Sequence, residues 1–108
     1  MLLDPHDAKV FAQLIKARVD RLRIETLEQT VRSELIPALR EEPGYCGAVS
    51  LTNRARGETL LLLFWETEEQ ARRPVAHRVA PFALAVGTVS ELLASNFLVT
   101  VWDVDARS

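Results

Sequence analysis

The chain has little of what several classes of protein require. It contains one cysteine, Cys46, in 108 residues, so no internal disulfide can form, which favours a reducing compartment. Its first residues lack the basic segment and long apolar stretch of a signal peptide. The longest apolar run, Leu60 to Trp65, is much shorter than the roughly 20 residues that span a membrane as a helix. These absences predict a cytoplasmic protein without a membrane partner.

Charge and motif content exclude further classes. The net charge is -2 and the charges are mixed along the chain, without a basic patch interleaved with aromatics, so we expect no nucleic-acid partner. His6, His77 and Cys46 offer no pair at a metal-ligand spacing. A glycine-rich phosphate loop, a CxxC pair and a nucleophile motif are also missing. We therefore expect no bound metal and no resident cofactor.

The apolar periodicity predicts the element order β-α-β-β-α-β. Asp20 is the expected N-cap of the first helix, which ends before Pro43 and is kinked or tightened in its last turn by Pro37. Thr67 and Gln70 form a predicted capping box at the second helical region. The predicted strands are 10–19, 45–52, 59–65 and 96–104, the hairpin loop is 53–57, and the later helical pieces are 68–73 and 82–93.

This order is the α+β, ferredoxin-like pattern: a four-stranded antiparallel sheet with both helices on one face, in a single domain with its core at 10–104. The apolar run in strand 3 lacks polar alternation, so both faces of that strand must be covered. The alternating sets are Leu61, Leu63 and Trp65 on one face, and Leu60, Leu62 and Phe64 on the other. One set meets the helices, and the other would be exposed in a monomer. We therefore predict a sheet-to-sheet homodimer, a dimeric α/β barrel.

Three segments resemble one family. They are the turn Pro43-Gly44-Tyr45, the hairpin closed by Gly57, and the junction Phe64-Trp65-Glu66-Thr67-Glu68-Glu69, which is similar to a W-E-[ST]-x-[EQ] pattern. On these, residues 10–104 resemble the antibiotic biosynthesis monooxygenase (ABM) domain family of dimeric α/β barrels. The resemblance implies a small oxygenase that uses neither metal nor flavin. Such enzymes oxidise electron-rich aromatics, such as anthrone-type polyketides, to quinones with molecular oxygen, whereas other relatives bind and degrade heme.

The chain departs from the catalytic patterns of both branches. The quinone-forming enzymes pair the Trp at position 65 with an Asn four residues earlier and a Tyr six residues later, where this chain has Leu61 and Ala71. The heme-degrading branch uses an Asn on strand 1, where the polar residue here is Gln13, and a His near the position of His77. The resemblance favours a cofactor-independent monooxygenase. The alternatives are a non-catalytic ligand-binding or assembly protein and, third, a heme-binding or heme-degrading relative.

Four residues are candidates for a site, each with a structural alternative. Trp65 would stack on a flat aromatic ligand, or be a core Trp with its N–H bonded to a carbonyl. His77 would be a general base, or an exposed or capping residue. Gln13 would point into a cavity, or be a satisfied buried amide. Arg78 would bind a substrate anion, or belong to a solvated face.

Four further residues have predicted environments. Arg72 and Arg73 flank His77 and would either assist Arg78 with an anion or form the same solvated face. Cys46 is expected to be a small buried apolar residue. Trp102 is expected to pack in the core or in the dimer interface.

Overall fold

Four strands form one antiparallel sheet in the order β2-β3-β1-β4. The computed structural model describes residues 9–105. The strands are β1 Phe11–Arg18, β2 Tyr45–Asn53, β3 Glu58–Trp65 and β4 Leu98–Asp103. The predicted strands and their ferredoxin-like order are confirmed. The prediction about a signal peptide concerns the first residues of the chain. Residues 1–8, which include His6, lie outside the described residues.

The helical segments pack their apolar side chains against one face of this sheet. The segments are α1 Ile24–Thr30, α2 Ile36–Leu39, α3 Glu68–Arg72 and α4 Ala80–Glu91, with 3₁₀ turns at Arg21–Arg23 and Val75–His77. They enclose a core with Leu61, Leu63 and Trp65 of β3. Their alternate neighbours Leu60 and Leu62 are partly exposed, so the predicted alternation of the two faces of β3 is confirmed.

The first helical region is less regular than predicted. Between α1 and α2, residues Val31–Leu35 form a π-helical segment that ends two residues before Pro37. Proline has no N–H for the carbonyl four residues earlier, and its ring clashes with that carbonyl in a regular α-helix. The wider π turn relieves the clash, so Pro37 changes the turn before itself rather than only the last turn.

The face of the sheet opposite the helices is largely apolar, although Lys16 and Thr100 also lie on it. This outer face carries Leu14, Val49, Leu51, Leu60, Leu62, Phe64, Leu98 and Trp102, as the strand register shows. Leu51 is 46% exposed and Trp102 is 57% exposed. The prediction that Trp102 packs in the core is therefore wrong, whereas its position suits the other predicted place, an interface.

Cys46 is exposed, so its expected burial is wrong. The pairing of β2 with β3 shifts register between Tyr45 and Gly47, which makes Cys46 the extra residue of a β-bulge. A bulge interrupts the regular alternation of side chains between the two faces of a strand, so the Cys46 side chain does not take the place that alternation predicts. The thiol donates to the Gly44 carbonyl oxygen at 3.4 Å.

The predicted caps form, with one exception. Asp20 accepts a hydrogen bond from the Leu22 N–H, and the Thr67 hydroxyl oxygen accepts one from the Gln70 N–H at 3.1 Å. The reciprocal half of the predicted capping box is missing, because the Gln70 Oε1 atom is buried without a hydrogen-bond partner among the described residues. That side chain instead lies against Gly44.

Replacing Gly44 by alanine should lower the free energy of unfolding by about 2 kcal/mol or more. Gly44 has a φ of 81°, which is strained for other residues, and a Cβ there would collide with the Gln70 amide. Gly87, inside α4, has open space around it, so Gly87→Ala should instead add about 0.5–1 kcal/mol. Urea denaturation of both variants measures the difference, and equal effects would contradict this account of the turn.

Candidate functional site

Gln13 and Trp65 are joined by a side-chain hydrogen bond. Gln13 lies on the helix-facing side of β1, and the indole Nε1 of Trp65, on the neighbouring β3, donates to its Oε1 at 3.1 Å. An indole N–H is a donor only, so the amide oxygen of Gln13 must face Trp65. The amide NH₂ consequently points elsewhere, and it donates to no described residue. The structure thus shows Trp65 as a buried core residue whose N–H meets a carbonyl, one of its two predicted roles.

Arg78 is stacked on Trp65. Its guanidinium carbon is 4.3 Å from the centre of the Trp65 ring and 5.5 Å from that of Phe82, and the residue is only 8% exposed. Its Nη2 donates to the Gln70 carbonyl at 2.8 Å, whereas its buried Nη1 has no partner among the described residues. Burial lowers the pKa of Arg78, which the nearby Glu42 carboxylate opposes. The prediction of a solvated face is wrong for Arg78, since burial encloses this cation between two aromatic rings.

Glu42 is a buried residue that the sequence reasoning missed. It is 4% exposed, and its Oε1 accepts a hydrogen bond from the backbone N–H of Val79 at 3.0 Å. Val79 is the N-cap of α4 and has no side-chain cap of its own, so the carboxylate meets the positive end of that helix. The sequence carries no signal for this role, because the neighbouring Glu41 has the same chemistry and is exposed.

A small inner cavity lies between the sheet and α4. Its volume is about 80 Å³, and its wall is mostly apolar, with Leu61, Leu63, Phe82 and Val89 among the lining residues. Three polar residues also line it: Gln13, Arg78 and Ser90. The Ser90 hydroxyl is already engaged, since it donates to the Val86 carbonyl at 2.7 Å. Gln13 and Arg78 are therefore the polar groups available in the inner cavity.

A larger outer cleft adjoins the inner cavity. Its volume is about 780 Å³, and its lining includes Arg72, Arg73 and Trp102. Both cavities are lined by the same three residues: Gln13, Val75 and Val99. The outer cleft has the size usual for small-molecule sites, roughly 300–1,000 Å³, and the inner cavity is far below it.

The structure does not bring His77 to these cavities. His77 ends the 3₁₀ turn Val75–His77, is exposed, and lines neither the inner cavity nor the outer cleft. Of its predicted neighbours, Arg72 pairs with Glu68 at 2.8 Å on the surface, and Arg73 lines the outer cleft. Gln13, Trp65 and Arg78 are thus brought together, whereas His77 stays apart from them.

The described residues show neither of two other kinds of feature. Within residues 9–105, no three His, Cys, Asp or Glu side chains converge as a metal site would require. In the same range, none of the helices is long and apolar enough to cross a membrane.

Solved structures share this fold. A monooxygenase from the gene ActVA-Orf6 of Streptomyces coelicolor, in complex with the ligand Nanaomycin D, superposes with a TM-score of 0.74 at 18% identity, over 97% of this chain and 94% of that one. A Nitrosomonas europaea protein named as an antibiotic biosynthesis monooxygenase gives 0.71 at 18% identity, over 97% and 96%. One from Bordetella bronchiseptica, named likewise, gives 0.74 at 19% identity, over 86% and 94%.

These matches define what the chain is similar to. They confirm the resemblance to the ABM proteins at the level of the fold, a ferredoxin-like α+β sheet with helices, over almost the whole chain. No family profile matches the sequence, and no curated protein does. The activity must therefore be argued from the site itself.

Proposed function

We propose that the chain is a cofactor-independent monooxygenase, which oxidises a small, flat, electron-rich aromatic bound in the outer cleft as its phenolate. The observation that carries the proposal is the polarity of the site. Gln13 is oriented by Trp65 so that its NH₂ group faces away from the indole, and Arg78 has only donors. Both groups therefore suit an oxygen that accepts hydrogen bonds and carries negative charge, Gln13 at the outer cleft and Arg78 in the inner cavity beside it.

The charge of the site also determines the form of the substrate. The described residues that line the two cavities include three arginines but no Asp, Glu, His, Cys or Tyr. A nearby cation lowers the pKa of a phenol, so the site favours the anion without supplying a base. The phenol must accordingly lose its proton to water, with its pKa lowered by these arginines. A role for His77 as the base stays a prediction, tested below.

The walls of the cleft suit a flat ring. Val99 and Val101 of β4 supply apolar area on one side, and Val75 also lines the cleft. One protein with a similar fold, from Streptomyces coelicolor, is a monooxygenase in complex with the ligand Nanaomycin D. This similarity supports a ligand of this kind. In this proposal Trp65 does not stack on the substrate, but holds Gln13 and Arg78 in place.

The proposal includes a homodimer formed through the outer face. Monomers rarely expose a contiguous apolar patch beyond a few hundred Å², and the outer face has apolar side chains on all four strands. A second copy is self-complementary to such a face under twofold symmetry. Light scattering should therefore give about twice the chain mass of 12.1 kDa. We place the dimer in the cytoplasm, on the evidence of the single cysteine.

A non-catalytic ligand-binding protein is the second candidate. It is favoured by one observation, the lack of a base among the described lining residues. Such a protein would bind the aromatic anion tightly and leave it unchanged. Heme binding, the third expectation, has no support from His77, whose side chain lies at the surface.

Gln13→Glu should reduce kcat/KM for an anthrone-type or naphthol substrate by roughly 100-fold, as removal of one oriented donor commonly does. The new carboxylate still accepts from Trp65 but presents an oxygen, not an NH₂, to the phenolate. Oxygen uptake measures the effect. Asn53→Asp makes the same chemical change in the exposed hairpin loop, where the side-chain oxygen bonds the Arg56 N–H, and should leave the rate unchanged.

The other outcomes separate the candidates. Equal rates for Gln13→Glu and Asn53→Asp would refute the site, and a large loss in His77→Ala would restore that residue as the base. Tight binding of the aromatic without oxygen uptake would favour the binding protein. A Soret shift on titration with hemin would favour the heme-binding candidate.

A further inference from the structure

The inner cavity is adjacent to the proposed substrate cleft but is built for a different occupant. From its size, its lining and the charge at its wall, we infer that it is a chamber for dioxygen, and that Arg78 stabilises the superoxide formed there. This inference rests on the proposed monooxygenase function. It assigns to the second substrate a place and a residue of its own.

The volume excludes the aromatic substrate. At about 80 Å³ the inner cavity is well below the roughly 150 Å³ of an apolar cavity that takes up benzene. A water molecule in such a space needs two to four polar partners. The wall is mostly apolar, and the Ser90 hydroxyl is engaged by the Val86 carbonyl. Among the described lining residues this leaves Gln13 and Arg78 as polar partners, which is enough for one water molecule but not for a cluster. A small apolar gas therefore fits the cavity better than an aromatic ring or a cluster of waters.

The position brings dioxygen next to the substrate. Gln13, Val75 and Val99 line both cavities, so a gas molecule in the inner one and a ring in the outer one are separated at most by these side chains. The amide NH₂ of Gln13, oriented by Trp65, is at the same boundary and holds the substrate oxygen there.

Arg78 places a positive charge where dioxygen gains its negative charge. Neutral dioxygen gains little from a cation, whereas superoxide gains much, so a fixed cation stabilises the product of electron transfer more than the reactant. The rings of Trp65 and Phe82 and the Gln70 carbonyl hold the guanidinium in place. Its buried Nη1 has no partner among the described residues, which leaves a donor for the superoxide.

The reaction balances without another reductant. The phenolate gives one electron to dioxygen, forming a phenoxyl radical and superoxide, which combine in a new C–O bond at the carbon para to the oxygen. Water protonates the resulting peroxide. The proton on that carbon is then lost as the O–O bond breaks, leaving a quinone carbonyl and, after protonation of hydroxide, water. One oxygen atom enters the product and the other enters water, as in phenol plus O₂ giving quinone plus H₂O.

Xenon tests the chamber without reference to activity. Crystals of the protein pressurised with xenon should show one xenon atom bounded by Leu63, Phe82 and Val89. Val89→Leu and Val86→Leu each add a methylene to the wall, and neither residue lines the outer cleft. Both variants should lose the xenon, whereas Gly87→Ala, a change on the same helix in open space, should keep it.

Kinetics with varied oxygen tests the role of the chamber. The two variants that fill the inner cavity, Val86→Leu and Val89→Leu, are called the filling variants. They should raise KM for dioxygen several-fold and leave KM for the aromatic unchanged, whereas Gly87→Ala should change neither constant. Arg78→Met keeps the alkyl stem and removes the charge, so kcat/KM for dioxygen should fall by roughly 100-fold. Arg78→Lys, which restores a cation, should recover part of that loss.

An active enzyme that binds no xenon at this place, or holds a well-ordered water there, would overturn the chamber and leave the proposed function standing. An unchanged KM for dioxygen in both filling variants would do the same. Xenon binding in a protein that oxidises no aromatic would overturn the dioxygen assignment together with the proposed function. Should Arg78→Met not fold, the filling variants decide the matter.

Discussion

Replacing Glu42 by alanine should lower the free energy of unfolding by about 3 kcal/mol. The change removes the acceptor of the buried Val79 N–H, and an orphaned buried donor costs about 1–3 kcal/mol. It also removes the negative charge that partly compensates the buried Arg78, and an uncompensated buried charge is costly. Both losses affect the segment that carries Arg78 and leads into α4, so oxygen uptake should fall as well.

Two controls isolate this effect. Glu41 is the same residue type one position earlier and is exposed, so Glu41→Ala should change stability by no more than about 0.5 kcal/mol. Glu42→Gln keeps an acceptor for the Val79 N–H but removes the charge. Its loss of unfolding free energy should therefore lie between those of Glu41→Ala and Glu42→Ala. Urea denaturation of the three variants measures the order, and a Glu42→Ala protein as stable as Glu41→Ala would refute the structural role.

Leu62→Glu should convert the proposed dimer to a folded monomer. Leu62 pairs with Leu14 on one side and Val49 on the other, at the middle of the outer face. A charge buried there without a partner costs about 3–5 kcal/mol, and twofold symmetry places two of them in one interface. Each 1.4 kcal/mol or so of lost binding free energy raises a dissociation constant tenfold, so that of the dimer should rise by at least about two orders of magnitude.

The control is a leucine outside the sheet. Leu22, in the 3₁₀ turn Arg21–Arg23, is 92% exposed, and Leu22→Glu should leave the mass at twice 12.1 kDa. Circular dichroism checks that the Leu62→Glu chain keeps its secondary structure, as expected because Leu62 points away from the helices. A folded Leu62→Glu protein that remains dimeric at low micromolar concentration would argue against the outer face as the interface.

Local patterns predicted the fold well because its elements depend on neighbouring residues. The run from Leu60 to Trp65 with a glycine-closed hairpin before it, and the capping residues Asp20 and Thr67, gave strand and helix ends close to the observed ones. The errors occurred where a local pattern met a structural irregularity. Pro37 produced a π turn before itself, and the bulge at Cys46 turned that side chain to solvent.

The site could be predicted only in part, because its contacts join residues distant in sequence. Gln13, Trp65 and Arg78 were recognised as polar or aromatic residues in unusual places, and these three lie together. Their arrangement followed from pairing across strands and from a guanidinium stacked on an indole. Glu42 was missed because its partner, the Val79 N–H, is a backbone group that no side-chain pattern marks.

The sequence alone determined the α+β class, the strand order and the two-faced apolar β3, since periodicity and capping act over a few residues. Tertiary structure decided which groups meet and what they leave unpaired. Gln13 faces Trp65 with its oxygen because an indole offers only a donor, and Arg78 keeps its Nη1 without a described partner because two rings and the Gln70 carbonyl surround the rest. Chemistry at this site depends on those orientations, which arise only when distant segments are packed against one another.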